Sequence, residues 1–127
     1  MKNIGNYKFW ILLVLYLFSF HFTDAQVNSS IYNKAMQEIQ LLFNERQPNR
    51  IYEQASVSYK SRISKEKFSL GMKKFVANTG QMESFSFVDS AENGYNYAIK
   101  FENSDQLFSI LLDEEKRAVR MNFKEIP

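Results

Sequence analysis

From Gln81 to Lys124, apolar and polar residues alternate in four short runs separated by three turns, the two-residue period of half-buried strands. The register follows from which pairing keeps the apolar side chains together, because a one-residue slip carries a whole strand to the opposite face. A two-residue loop at Asn93-Gly94 would oppose Phe87 to Lys100 and Val88 to Ile99, setting aromatic rings among charges. A three-residue loop of Glu92, Asn93 and Gly94, with the glycine left-handed, instead opposes Phe87 to Ile99 and Phe85 to Phe101. With turns around Ser104-Asp105 and Glu115-Lys116, the same test opposes Phe101 to Phe108, Ile99 to Ile110 and Tyr97 to Leu112. It then opposes Leu112 to Val119, Ile110 to Met121 and Phe108 to Phe123. The expected inner face holds Phe85, Phe87, Tyr95, Tyr97, Ile99, Phe101, Phe108, Ile110, Leu112, Val119, Met121 and Phe123. The reverse is polar, relieved by Val88, Ala98, Leu107, Leu111 and Ala118, so the sheet buries one side and wets the other.

Helical spacing precedes the sheet. Ser29 or Ser30 is the expected cap of a first helix with Ala35, Met36, Ile39, Leu42 and Phe43 inward. Gln47-Pro48-Asn49 breaks it, and Asn49 opens a short second helix through Ala55 with Ile51, Tyr52 and Ala55 buried. Val57–Lys60 reads as an extended piece or an edge strand. Ser64 caps a third helix with Phe68, Met72, Phe75 and Val76 inward, ended at Asn78-Thr79-Gly80. The expected architecture is α+β: three helices on the apolar face of a four-stranded antiparallel meander, with Val57–Lys60 as an optional fifth strand.

Upstream, Lys2 and Lys8 precede the apolar run Trp10–Phe22, and Thr23-Asp24-Ala25 ends in a small residue. Basic, then apolar, then small is the order of a secretory signal, here expected over 1–25 with cleavage before Gln26. The run is short of the roughly 20 apolar residues that a membrane span needs, so no span is expected once the signal is removed; an uncleaved anchor is the alternative. Residues 26–127 then form one domain, exported to a periplasm or the extracellular space.

Composition prunes the chemistry. Residues 26–127 carry 14 Lys and Arg against 13 Asp and Glu, which gives no pull toward nucleic acid. The only histidine, His21, lies in the signal, and the chain has no cysteine. His-assisted nucleophiles, thiol chemistry and nitrogen–sulfur zinc sites are therefore excluded from the domain. Its only glycines are Gly71, Gly80 and Gly94, too few for a phosphate-cradling loop, and no carboxylate pattern suits calcium. No cofactor or metal is expected.

One charge falls on the expected inner face: Asp89, beside Tyr97, with Tyr95 one step along. A carboxylate at the mouth of an apolar concavity, with tyrosines as donors, is a candidate ligand-binding or general-base group; near a hairpin end it equally reaches water. Tyr59 and Glu83 are weaker candidates. On the outer face, Val88, Ala98, Leu107 and Leu111 are candidates for a patch that pairs two copies or docks a partner. Lys60, Arg62, Lys65, Lys67, Lys73 and Lys74 form a basic run opposed only by Glu66, either an anion-binding surface or simply a solvated helix face.

The Ile51-Tyr52-Glu53-Gln54-Ala55 segment, the helix start Ile63-Ser64-Lys65-Glu66-Lys67-Phe68, Gly80 before the first long strand and the Asn122-Phe123-Lys124 end resemble the nuclear transport factor-like, or cystatin-like, α+β roll. In detail, residues 30–126 resemble small exported bacterial domains of unknown function, often found ahead of beta-lactamase-type serine hydrolases. The expected function is that of a non-enzymatic binding or accessory module for a small apolar ligand or a protein partner. Some enzymes of that superfamily pair Asp with His or Tyr beneath the sheet. Here only Asp89 with Tyr95 or Tyr97 offers such a pair, for an isomerase, dehydratase or hydrolase.

Overall fold

A computed structural model describes residues 24–92 and 94–126. Residues Lys2 to Phe22, on which the expected export signal rests, lie outside the described residues. The elements are α1 (Asp24–Asn44), α2 (Pro48–Glu53), α3 (Val57–Arg62), α4 (Lys65–Thr79), β1 (Met82–Ala91), β2 (Gly94–Phe101), β3 (Asp105–Leu112) and β4 (Ala118–Glu125). The chain is thus α+β, with helices followed by one antiparallel sheet in the order β1-β2-β3-β4. It divides into two compact units between Ile31 and Tyr32, and the sheet and its core belong to Tyr32–Pro127. No helix among the described residues is long and apolar enough to cross a membrane.

The inward stripe of α1 is as its spacing predicts, with Met36, Ile39, Leu42 and Phe43 buried. Its start differs: Ser29 and Ser30 lie within the helix, which already runs from Asp24. The helix ends with Arg46 in the left-handed region (φ 58°), while the Gln47 N–H reaches back to the Leu42 carbonyl and the Arg46 N–H to that of Phe43. That closing turn satisfies two of the carbonyls a helix end leaves open. Gln47, without a side-chain cap, precedes α2, yet Ile51, Tyr52 and Ala55 are buried as expected.

Val57–Lys60 is not a strand. Ser56 accepts a hydrogen bond from the Tyr59 N–H and caps α3, so the alternation of Val57 and Tyr59 with polar residues is one helical turn. Just before it, Ala55 and Ala118 form a single parallel bridge, too short to add a strand. Ser64 caps α4 as expected, accepting from the Lys67 N–H, and Gly80 ends it at φ 73°.

The sheet keeps most of the expected faces while shifting the registers. Phe85 opposes Ile99 and Phe87 opposes Tyr97, two residues from expectation, and Ala91 opposes Gly94. Gly94 sits at φ 103°, and a Cβ there would come within 2.1 Å of the Ile110 carbonyl oxygen, so no other residue fits. Between β2 and β3 the shift is four residues: Tyr97 opposes Phe108 and Ile99 opposes Gln106. The cause is an anchored turn. Glu102 exchanges hydrogen bonds with Gln81, and the Asn103 N–H reaches the Thr79 carbonyl, so the turn is tied to the α4–β1 connection instead of to Ser104-Asp105. Both shifts are even, and even shifts preserve faces.

Two bulges do change faces. One at Val88 makes Asp89 oppose Asn96 on the polar side. The other, between Leu111 and Leu112, makes Leu112 oppose Ala118, which is buried, so Val119 drops out of the inner set. Ile110–Met121 and Phe108–Phe123 pair as expected. Tyr32 receives the Leu112 N–H at the second bulge, 2.9 Å from its hydroxyl, and Arg62 donates to the Val119 carbonyl. From α1, the Asn44 side chain both donates to and accepts from the Met82 backbone (2.9 and 2.8 Å), standing in for a neighbouring strand at the start of β1.

Candidate functional site

The structure separates the residues expected to form a site. Asp89 is exposed on the outer face, where its carboxylate accepts from the Asn96 amide at 2.6 Å, and Ser109 donates in turn to Asn96 at 2.5 Å. Tyr97 points the other way and is fully buried, its hydroxyl donating to Asn33 at 3.3 Å. Burial, and then the neighbouring Tyr95 and Tyr32 hydroxyls, push its pKa up to about 12, so it is a neutral donor at ordinary pH. Tyr95 stacks on Tyr32 with ring centroids 4.0 Å apart. The tyrosine end of the inner face is thus packed aromatic core, with the carboxylate on the opposite side.

The outer apolar residues are also divided. Ala98 and Leu107 oppose each other, but the Asp89–Asn96–Ser109 row separates them from Leu111. Val88 is half exposed (51%) at the edge of β1 beside Phe87 (52%). Glu83 is exposed and faces Lys100 across 4.0 Å.

The other end of the inner face is hollow. A cleft of about 180 Å³ opens between α4 and the β3–β4 half of the sheet. Phe108, Met121 and Phe123 line its sheet side and Phe68, Met72 and Gly71 its α4 side; the buried Ile39 and Ile51, with Tyr59, Ile63 and Lys67, complete the lining. A larger groove of about 550 Å³ borders Met72, but its walls include Arg46, Lys73 and Glu102, whereas the smaller cleft is walled by core side chains of both layers.

Local chemistry holds this cleft open. Tyr52 donates to the carbonyls of Ile63 (2.7 Å) and Lys60 (3.2 Å), fixing the corner between α3 and α4. Arg62 ties α3 to the edge of β4, helped by the Ser56 N–H on the Ala118 carbonyl. A Cβ added at Gly71 would meet nothing within 4 Å. Gly71, which lines the cleft, is itself exposed. Tyr59, half buried, has its pKa raised chiefly by desolvation, and its hydroxyl takes no partner among the described residues.

Comparison with known proteins finds no matching family model, no matching curated protein and no matching solved structure.

Of the cleft residues, the apolar ones other than Ile63 were legible as core, and Tyr59 was a weak candidate from sequence. Lys67 was submerged in the basic run, and Gly71 carried the only local trace. A glycine inside an amphipathic helix costs about 1 kcal/mol relative to alanine, which marks a position where something other than helix stability is served.

Proposed function

We propose that the chain is an exported, non-catalytic binding module whose ligand is a small apolar group seated in the cleft between α4 and the β3–β4 half of the sheet. The cleft carries the reading, because an apolar cavity of roughly 150 Å³ already holds a benzene-sized ligand, and this one is about 180 Å³. Binding is favoured over catalysis by the chemistry available: residues 26–127 contain no histidine or cysteine, and Asp89 lies across the sheet from the tyrosines. Export, to a periplasm or the extracellular space, rests on the sequence of residues 1–25. Membership of the nuclear transport factor-like, cystatin-like roll likewise rests on the resemblance, to which the order of helices followed by an antiparallel meander lends support. Pairing with a second copy or a partner protein through the outer face is the weaker reading, since its apolar residues are split by a polar row.

The test is octanol titrated into the full chain while the methionine methyl groups are followed by NMR. Met72 and Met121 shift in the wild type and not in Gly71→Leu, whose side chain fills the space. Unmoved Met72 and Met121 signals in the wild type would sink the reading.

A further inference from the structure

The cleft has one charged end. Among its lining residues Lys67 alone is ionised and Tyr59 alone carries a hydroxyl, while the remainder are apolar apart from Gly71. No carboxylate lines it. Its neighbour Lys65 is engaged by Glu53 at 3.2 Å, whereas Lys67 has no carboxylate partner among the described residues. In sequence Lys67 follows Lys60, Arg62 and Lys65 with only Glu66 against them, and the Arg62 guanidinium lies 6.0 Å from the centre of the Tyr59 ring. Tyr59, which also lines the cleft, adds a phenol O–H donor.

We infer that the ligand is an anionic single-chain amphiphile, an aliphatic carboxylate or phosphate of about six to eight carbons, with its head at Lys67 and Tyr59 and its chain on Phe108 and Phe123. The inference rests on the cleft being a ligand site. Two features define the class. The volume limits the chain: each methylene buried strengthens binding about fourfold, and the gain stops when the space is full. Lys67, the one cation among the lining residues, selects the head: a charge pair at an exposed rim is worth about threefold to fivefold and weakens with salt.

The experiment follows the Met72 and Met121 methyl signals of the full chain with butanoate, hexanoate, octanoate, octyl phosphate and octanol at low ionic strength. Affinity rises from butanoate to octanoate. Octanoate or octyl phosphate binds about threefold to fivefold tighter than octanol, and whichever of the two is tighter identifies the head group. Lys67→Gln brings octanoate and octyl phosphate down to the affinity of octanol, and so does salt at about 0.5 M. Equal binding of octanol and both anions by the wild type, or a preference that survives in Lys67→Gln, overturns the anionic inference while leaving an apolar site standing. No shift with any probe overturns both.

Discussion

The two ends of the inner sheet face were built from the same kind of residues and came out differently. At the β1–β2 end, Tyr32, Tyr95, Tyr97 and Phe85 pack ring on ring with half-exposed Phe87 at the edge, and two hydroxyls are spent on structure: Tyr97 on Asn33, Tyr32 on the Leu112 N–H freed by a bulge. At the β3–β4 end, Phe108 and Phe123 stack at 4.5 Å on the sheet and Phe75 of α4 packs on Phe123 at 4.4 Å, while a cleft lined by Phe68, Gly71 and Met72 remains beside them. Polar groups on an apolar face therefore marked a satisfied core here, while the opening lies among apolar side chains. Buried hydroxyls need partners, and the partners close the space around them.

Substitutions at the two ends should separate them. The largest effect is expected for Tyr97→Ala, which removes a fully buried ring and should cost about 3 to 5 kcal/mol in urea unfolding. Met72→Ala, at a partly exposed wall that already borders empty space, should cost about 1 to 2 kcal/mol. Equal losses would erase the distinction. Tyr32→Phe keeps the stacked ring but strips the partner of the Leu112 N–H, and is expected to cost about 1 to 3 kcal/mol.

Alkali offers a sharper probe of the closed end. The Tyr97 pKa is raised from 10.0 to about 12, so the folded state holds the phenol proton more tightly than the unfolded chain does. The associated stability is complete below pH 10 and is lost as pH climbs toward 12. Unfolding curves of wild type and Tyr97→Phe, compared across that window, should converge as the wild type loses this contribution. Parallel curves would place Tyr97 in water.

Smaller effects are expected elsewhere. Gly71→Ala meets no neighbour and improves helix propensity, so a gain of about 0.5 to 1 kcal/mol is expected by thermal or urea unfolding, and a loss would show that the α4 backbone there is constrained. Asp89→Asn leaves an acceptor for Asn96 on an exposed face and should change stability by less than about 0.5 kcal/mol.

The contrast also explains how far the sequence was legible. The strands and the α1 and α4 stripes could be read because burial repeats with a fixed period, and the inner set largely survived wrong registers because the shifts were even. Asp89 and Val119 were misplaced because a bulge adds one residue without a local signature, turning the next residues of the strand to the other face or expelling one from the inner set. Val57–Lys60 looked extended because one turn of an amphipathic helix alternates much as a strand does; Ser56 was the missed cap. The cleft depends on the spacing between two layers, which no single segment encodes.

The most direct test of the contrast is a crystal of the protein pressurised with xenon, which enters apolar space without needing a polar partner. A xenon peak is expected among Phe68, Phe108 and Phe123, and none around Tyr95 and Tyr97. A cleft closed by Met72 with no xenon in it, or a xenon site beside Tyr97, would show that the open and closed ends do not differ in this way.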